Sequence, residues 1–145
     1  MVYGSLEVAP DYAEKCHHLI KQLNLENNFK LGGYHNKPTE IYNEGDISAL
    51  SSISEGFPYT VLESMSCARP VVATDVGGVK EALKGYGIIV KPRDAREFGQ
   101  GVIKLLKDHE LRQHLGRLGR EQVLLKFRIS TSIDHYYEAY QRLAK

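Results

Sequence analysis

Two carboxylates, Glu55 and Glu63, are the side chains of this sequence best suited to bind a ligand. The segment between them contains Gly56 and Pro58, which predict a turn followed by a helix that begins near Pro58 or Tyr59. Helical side chains lean toward the N-terminus, so Glu63 is predicted to point back toward the loop that carries Glu55. Because a carboxylate accepts hydrogen bonds from two neighbouring hydroxyls, the pair predicts a sugar or a nucleotide sugar as ligand.

Taken alone, a pair of glutamates is more often a solvated surface feature than a binding site, so the surrounding residues decide the interpretation. The stretch from Ser54 to Leu83 carries the motifs Glu55-Gly56-Phe57-Pro58, Leu62-Glu63-Ser64-Met65, Arg69 to Gly78, and Glu81. In these residues it resembles the donor-binding segment of retaining glycosyltransferases of family 4, which have the two-lobed GT-B fold. One departure is Ala68, where that family more often has glycine.

Alternating strand and helix patterns predict an α/β domain with a mainly parallel sheet. The resemblance implies that this sheet is Rossmann-like and flanked by helices. Strands are predicted at Val2-Tyr3, Phe29 to Leu31, Ile47 to Leu50, Val71 to Thr74 and Gly87 to Val90. Helices are predicted after Pro10-Asp11, from about Pro38 to Glu44, from Val79 to Leu83, and through most of the chain beyond Lys91-Pro92. The resemblance identifies residues 1–145 as the GT-B carboxyl-terminal lobe, a nucleotide-sugar-binding domain with C-terminal helices.

Apolar residues at helical spacing predict an apolar face on each of several helices. The first face comprises Tyr12, Cys16, Leu19, Ile20 and Leu23. Later faces comprise Phe98, Val102, Leu105 and Leu106, then Leu111, Leu115 and Leu118, and finally Ile133, Tyr136, Tyr137, Tyr140 and Leu143.

The composition gives no sign of a nucleic-acid partner, because 19 Lys and Arg residues balance 18 Asp and Glu residues for a net charge of +1. Cys16 and Cys67 lie in apolar helical patterns and are predicted to be buried free thiols, which favours a reducing, cytoplasmic location. No apolar run approaches the length of a membrane span, and no signal peptide precedes Val2.

Three glycine-bearing loops are predicted at the carboxyl ends of the strands, where open α/β sheets bind ligands: Gly32 to Tyr34, Ser54 to Pro58, and Asp75 to Gly78. Each glycine pair, without the resemblance, would indicate only a turn. The resemblance implies that Gly33 and Tyr34 contact the nucleobase and that Glu63 binds the ribose. It also implies that Glu55 and the backbone of Gly56, Phe57, Pro58, Tyr59 and Thr60 hold the donor sugar and phosphate.

The reaction that the resemblance implies is transfer of a hexose from a nucleotide diphosphate sugar to an acceptor hydroxyl, with retention of the anomeric configuration. Glu55 is the predicted catalytic residue, and neither glutamate need act as a nucleophile. No metal or other cofactor is expected, because no acidic cluster has the spacing of metal ligands. The six histidines are scattered, which favours packing or surface roles over catalysis.

In the family, this lobe opens with a further strand and a glycine-rich loop that carries an arginine and a lysine for the diphosphate. The chain begins at a segment, Val2 to Gly4, that resembles the strand after that one. We therefore expect no turnover by the isolated chain, and we expect a separate N-terminal lobe to bind the acceptor, either a carbohydrate or a lipid-linked molecule. An open seam beside the strand that contains Ile47 predicts a dimer, strand exchange or marginal stability. The segments around Val2 and Pro10 also resemble enzymes of bacterial exopolysaccharide assembly.

Two other classes of protein remain as alternatives. A flavodoxin-like or receiver-like module has similar size and strand–helix alternation, but it requires an acidic cluster after the first strand, which this sequence does not place. A non-catalytic protein-interaction or regulatory domain derived from a glycosyltransferase lobe is the stronger alternative. Binding of nucleotide sugars distinguishes these classes from the donor-binding lobe.

Overall fold

The computed structural model describes residues 1–144, so Lys145 of the predicted domain lies outside the described residues. The chain divides into two compact units, one from Met1 to Ile41 and one from Tyr42 onward. That residues 1–145 act as one lobe stays a prediction.

The first unit contains helix α1 (Pro10–Gln22), and the next helix, α2 (Pro38–Glu44), begins in it. Both helices begin at a proline, as the sequence predicts. The strands predicted at Val2-Tyr3 and at Phe29 to Leu31 do not form as strands. A single parallel bridge joins Val2 to Leu31: the Val2 N–H donates to the Lys30 carbonyl at 2.8 Å, and the Val2 carbonyl accepts the Gly32 N–H at 2.7 Å.

The predicted apolar face of α1 is not a buried face within the described residues. No α1 side chain is buried, and Tyr12, Leu19 and Leu23 are each more than half exposed. The two cysteines are free, as predicted, but Cys16 and Cys67 are half-buried rather than buried. The helical period therefore predicts the helix α1 correctly, and the apolar face of this helix is exposed or half-buried.

The second unit is built on a parallel sheet of three strands in the order β1 (Ser48–Leu50), β2 (Val71–Thr74) and β3 (Ile88–Val90). The middle strand has the predicted bounds, and each outer strand is one residue shorter than predicted. All of β2 is buried, whereas β1 lies at one edge of this sheet and its middle residue, Ala49, is exposed. The central position explains the unbroken run of buried β-branched and small residues in β2.

Helices cover both faces of this sheet: α3 (Tyr59–Ser66) and α4 (Val79–Leu83) on one face, and α5 (Ala95–Lys107) and α6 (His109–Lys126) on the other. The helix α7 (Ile129–Leu143) follows α6 in the sequence. Asp94 and Asp108 cap α5 and α6 by accepting the backbone N–H groups of Glu97 and Leu111, each at 2.9 Å. The helix α4 has the bounds that the sequence predicts, and α3 begins at one of the two predicted positions.

The core of the second unit has two layers, one on each face of β2. Val71 and Ala73 face α3 and α4, where the buried cluster also includes Val61, Met65, Val79, Ala82 and Leu83. Val72 faces the other way and packs with Val90 and Leu105, together with partly buried residues of α5 and α6. The alternation along β2 follows from the two-residue period of a strand.

The helix α6 packs closely against α3 because two of its glycines are buried there. A methyl group at Gly116 would overlap the carbonyl oxygen of Ala68, and one at Gly119 would lie 3.2 Å from the Met65 side chain. Arg120, one turn after Gly116, donates a hydrogen bond to the carbonyl oxygen of Ser66 at the C-terminal end of α3. This bond satisfies a carbonyl that a helix end otherwise leaves unpaired.

The last helix, α7, carries the predicted apolar stripe on an exposed surface. No side chain of α7 is buried among the described residues. The stripe residues, Ile133, Tyr136, Tyr137, Tyr140 and Leu143, are all more than half exposed. The sequence thus predicts the helix and its apolar face correctly, and this face is exposed in residues 1–144.

Candidate functional site

The loop that carries Glu55 leads directly into the start of α3. Pro58 is the N-cap residue, and its extended backbone places Tyr59 as the first helical residue. Among the described residues no side chain caps this end, which leaves backbone N–H groups of the first turn directed out of the helix. Such an end carries a partial positive charge and favours an anionic ligand.

Aromatic packing fixes the turn before α3. The Phe57 ring lies edge-on to the ring of Tyr59, with centroids 6.4 Å apart, and 5.9 Å from the ring of Phe127. Phe57 is half-buried and packs against the core cluster of α3 and α4, whereas Tyr59 and Thr60 are exposed. Phe57 and the buried Pro58 therefore anchor the loop, and Gly56, Tyr59 and Thr60 are its exposed residues.

Glu55 is held by a hydroxyl from its own loop. Its Oε1 accepts a hydrogen bond of 2.6 Å from the Oγ of Ser52. The Oγ1 of Thr74, at the end of β2, donates to the backbone oxygen of Ser52 at 2.5 Å. Among residues 1–144, no donor reaches the other carboxylate oxygen of Glu55, so this oxygen remains available to a ligand hydroxyl.

The Gly77-Gly78 pair holds the Glu55 loop from the side of β2. Gly77 has a left-handed backbone (φ +51°), and a methyl group there would overlap the backbone carbonyl of Glu55. Gly78 donates its N–H to the carbonyl of Gly56 at 2.9 Å, and a methyl group on Gly78 would lie 2.5 Å from the Phe57 ring. The pair is thus more than a turn, because only glycine allows the two loops to approach this closely.

Glu63 is held by a hydroxyl from a different element. The Tyr42 hydroxyl of α2 donates to the Oε2 of Glu63 over 3.1 Å. Burial and the neighbouring Glu63 carboxylate raise the pKa of Tyr42 well above its usual value of 10.0, which keeps the hydroxyl protonated as a donor. Among residues 1–144, the Oε1 of Glu63 receives no protein donor.

Both carboxylates therefore share one arrangement, in which a protein hydroxyl occupies one oxygen and the other oxygen remains open. Glu55 and Glu63 are each half-buried, and both lie in the second unit. The other predicted donor-binding residues of this segment lie between the two glutamates in the sequence: Gly56, Phe57, Pro58, Tyr59 and Thr60. The open oxygens can accept hydrogen bonds from the hydroxyls of a sugar.

Gly33 and Tyr34 lie in the first unit, separate from the two glutamates. Gly33 has φ +69°, and its carbonyl accepts the N–H of Gly4 at 2.8 Å. The preceding Gly32 lies against the Tyr3 ring, where a methyl group would come within 2.8 Å. Tyr34 is 78% exposed. The turn expected from these glycines is present, and contact of Gly33 and Tyr34 with a nucleobase stays a prediction.

Three residues that support the glutamates were not singled out from the sequence: Tyr42, Ser52 and Thr74. The signal for Ser52 and Thr74 was their place at the carboxyl ends of β1 and β2, because these ends meet at one edge of a parallel sheet. The sequence gives no comparable signal for Tyr42, which is 21 positions from Glu63.

The described residues show no other arrangement with evident chemistry. No group of three or more His, Cys, Asp or Glu side chains in residues 1–144 could hold a metal ion. No helix in that range is both long and apolar enough to cross a membrane. An open cavity of about 500 Å³ lies at the start of α6, lined by Asp108, Glu110, His114 and Arg117 among others, and contains neither glutamate of the candidate site.

A family model described as glycosyl transferases group 1 matches residues 2–122. The chain belongs to the glycosyl transferases group 1 family. The match includes both glutamates and the supporting residues Tyr42, Ser52 and Thr74.

A curated relative in the group 1 family is the N-acetyl-alpha-D-glucosaminyl L-malate synthase of Bacillus anthracis. It is 31% identical over 124 residues, which cover 84% of this chain and 32% of the relative. The chain thus spans about a third of the length of that relative.

Two solved structures show the same fold. The structure of HepE from Anabaena has a TM-score of 0.90 at 24% identity, covering 97% of this chain and 40% of that one. The C-terminal domain of the group 1 protein LpcC from Francisella tularensis has a TM-score of 0.74 at 27% identity, covering 82% of this chain and 64% of that one. The predicted fold class is confirmed: a parallel sheet flanked by helices, of the GT-B glycosyltransferase type.

Proposed function

We propose that this chain is the donor-binding lobe of a retaining glycosyltransferase of family 4. The reaction is transfer of a hexose from a nucleotide diphosphate sugar to an acceptor hydroxyl. The observation that carries the proposal is the arrangement of Glu55 and Glu63, in which each carboxylate is held through one oxygen and open at the other. A sugar ring and a ribose each present the neighbouring hydroxyls that such an oxygen accepts.

The two glutamates have different roles in this proposal. Glu63 binds the ribose, and Glu55 binds the transferred sugar as the catalytic residue of the lobe. In this proposal the diphosphate binds at the uncapped start of α3, and the N–H groups of Tyr59 and Thr60 stabilise its charge as the leaving group departs. Gly33 and Tyr34 contact the nucleobase.

The structural relatives suggest the first ligands to test. HepE was solved with UDP and with UDP-glucose, and the Bacillus anthracis relative is named for transfer of an N-acetylglucosaminyl group. Uridine diphosphate and its sugars therefore come first, followed by the guanosine and adenosine diphosphates. We further propose a carbohydrate or lipid-linked acceptor bound by a separate lobe, a cytoplasmic location and a role in bacterial polysaccharide assembly.

The test is calorimetric titration of nucleoside diphosphates and the matching nucleotide sugars into wild type, Glu55→Ala and Glu63→Ala. Glu63→Ala should weaken both kinds of ligand, because both contain the ribose. Glu55→Ala should weaken mainly the nucleotide sugars. Each lost hydrogen bond to a charged group is worth about 1.5–3 kcal/mol, or roughly ten- to a hundred-fold in affinity.

Glu121→Ala is the matched control, because Glu121 is an exposed carboxylate on α6 outside the candidate site. It should leave every affinity unchanged. Equal effects of Glu55→Ala and Glu63→Ala on a free nucleoside diphosphate would contradict the assignment of roles. If neither nucleotides nor nucleotide sugars bind, the lobe is better explained as a non-catalytic interaction domain.

A further inference from the structure

The hydrogen bond between Tyr42 and Glu63 joins two helices that are otherwise separated by β1 in the sequence. Tyr42 lies in α2, and Glu63 lies in the middle of α3. The bond occupies Oε2 of Glu63 and leaves Oε1 open among residues 1–144. A carboxylate that is free to rotate must lose that freedom when it binds two hydroxyls, and a fixed carboxylate has already lost it.

We propose that Tyr42 is a positioning residue, which holds the Glu63 carboxylate in the orientation that accepts the ribose hydroxyls of the donor. This inference rests on the proposed function, in which Glu63 binds the ribose. Tyr42 itself need not touch the nucleotide.

A second contact holds the Tyr42 end of α2 in place. The Nη2 of Arg69 donates to the backbone oxygen of Asn43, the residue after Tyr42, at 3.3 Å. The backbone of Arg69 is in turn fixed to α3, because its N–H donates to the Ser64 carbonyl at 3.0 Å and its carbonyl accepts the Ser64 hydroxyl at 3.3 Å. The end of α2 is therefore attached to α3 both at Glu63 and through Arg69.

The bond has a fixed direction. A carboxylate only accepts hydrogen bonds, and the Tyr42 hydroxyl donates to the Oε2 of Glu63. Burial of Tyr42, with the charge of Glu63 beside it, raises the pKa of the hydroxyl, so the donor persists through the whole neutral range. Replacing Tyr42 by phenylalanine keeps the ring that fills this half-buried position and removes only the donor.

The experiment compares Tyr42→Phe with Tyr86→Phe, which removes the hydroxyl of another half-buried tyrosine that packs against the core. Each variant is titrated calorimetrically with UDP and with 2′,3′-dideoxy-UDP, which lacks both ribose hydroxyls. If GDP or ADP binds more tightly than UDP, that nucleotide and its dideoxy form replace the pair. Calorimetry reports the fraction of active protein as the stoichiometry, separately from the affinity, so partial unfolding does not imitate the effect.

Tyr42→Phe should weaken UDP about ten-fold, equivalent to about 1.4 kcal/mol, and leave the dideoxy nucleotide unchanged. Tyr86→Phe should change neither. In a Glu63→Ala background, Tyr42→Phe should cause no further loss, because the group that it positions is gone.

Equal weakening of both nucleotides by Tyr42→Phe would overturn the proposal, since a structural role does not depend on the ribose hydroxyls. No weakening of UDP by Tyr42→Phe, when Glu63→Ala does weaken it, would overturn the role of Tyr42 alone. If Glu63→Ala weakens UDP and its dideoxy form by the same factor relative to wild type, the assignment of Glu63 to the ribose fails, and the role of Tyr42 fails with it.

Discussion

Replacing Gly77 by alanine should damage the Glu55 loop without touching a side chain of the site. The added methyl group would overlap the backbone carbonyl of Glu55 and lie 2.8 Å from the Gly56 oxygen. Both neighbours are backbone atoms, which cannot turn away as a flexible side chain can. The loop that carries Glu55 must therefore move as a whole.

The free-energy cost of Gly77→Ala has two parts, and a comparison with Gly85→Ala separates them. A residue with a Cβ in the left-handed region costs about 1–2 kcal/mol relative to glycine. Forcing an additional methyl group into a closely packed position costs about 1–3 kcal/mol more. Gly85 also has a left-handed backbone (φ +88°), but no atom lies within 4 Å of the position of its added methyl group. Gly85→Ala therefore carries only the first cost.

The assay is urea unfolding of wild type, Gly77→Ala and Gly85→Ala, together with calorimetric titration of the same nucleotide sugar into each. Gly77→Ala should be less stable than Gly85→Ala by about 1–3 kcal/mol, the cost of the overlap. It should also bind the sugar-bearing donor more weakly than Gly85→Ala does, since Glu55 is displaced. Affinity for the donor in Gly85→Ala should equal that of wild type.

Equal stabilities for the two variants would refute the inference that the Gly77 backbone supports the Glu55 loop. A loss of stability without any change in donor affinity would show that the loop can shift while Glu55 keeps its place.

Two further predictions concern the hydroxyl groups of the second unit. Thr74→Val keeps the shape of the side chain but removes its hydrogen bonds to the backbone oxygens of Ser52 and Leu50. At about 0.5–1.5 kcal/mol for each bond, the free energy of unfolding should fall by about 1–3 kcal/mol in urea titrations; a stability equal to wild type would contradict the role of Thr74. The pKa of the Tyr42 hydroxyl is raised in the folded chain. As the pH rises above about 10, the unfolded chain therefore loses the proton of this hydroxyl before the folded chain does. The free energy of unfolding then falls with increasing pH, by at most about 1.4 kcal/mol per pH unit. Unfolding measured from pH 8 to 11 should show a smaller alkaline loss in Tyr42→Phe than in wild type, and identical slopes would contradict this.

The sequence is most informative where residues with one backbone preference mark both ends of an element. Val71 to Thr74 lies between Pro70 and Asp75 and forms the central strand with the predicted bounds. Both ends of the helix α2 are marked in the same way, with Pro38 at its start and Gly45 after its end. The segments at Val2-Tyr3 and Phe29 to Leu31 lack such definition, and their few apolar residues form one bridge rather than a ladder.

Burial was harder to predict than periodicity. A repeat of apolar residues predicts a helix with one apolar face, but the covering surface comes from elsewhere in the chain or from another molecule. This explains why the stripes of α1 and α7 are present and exposed, while those of α5 and α6 are partly covered.

In the candidate site, too, local features could be predicted from the sequence and contacts between distant residues could not. Glu55 and Glu63 could be selected from their spacing and their context, because both lie on one short segment whose turn and helix are local properties. The contacts that hold them depend on distant residues: Tyr42 through α2 and Thr74 through β2. No local preference specifies which hydroxyl meets which carboxylate, so the supporting residues required the structure.

The glycines of α6 have a consequence for how the domain folds. Glycine within a helix costs about 1 kcal/mol relative to alanine, and α6 contains both Gly116 and Gly119 in its interior. In isolation, α6 is therefore a weak helix, and it recovers stability only by the close contact with α3 that the two glycines allow. Formation of α6 is thus cooperative with formation of the helix that carries Glu63, although none of its residues belongs to the site. A ligand that stabilises α3 should slow hydrogen exchange of the α6 backbone as well.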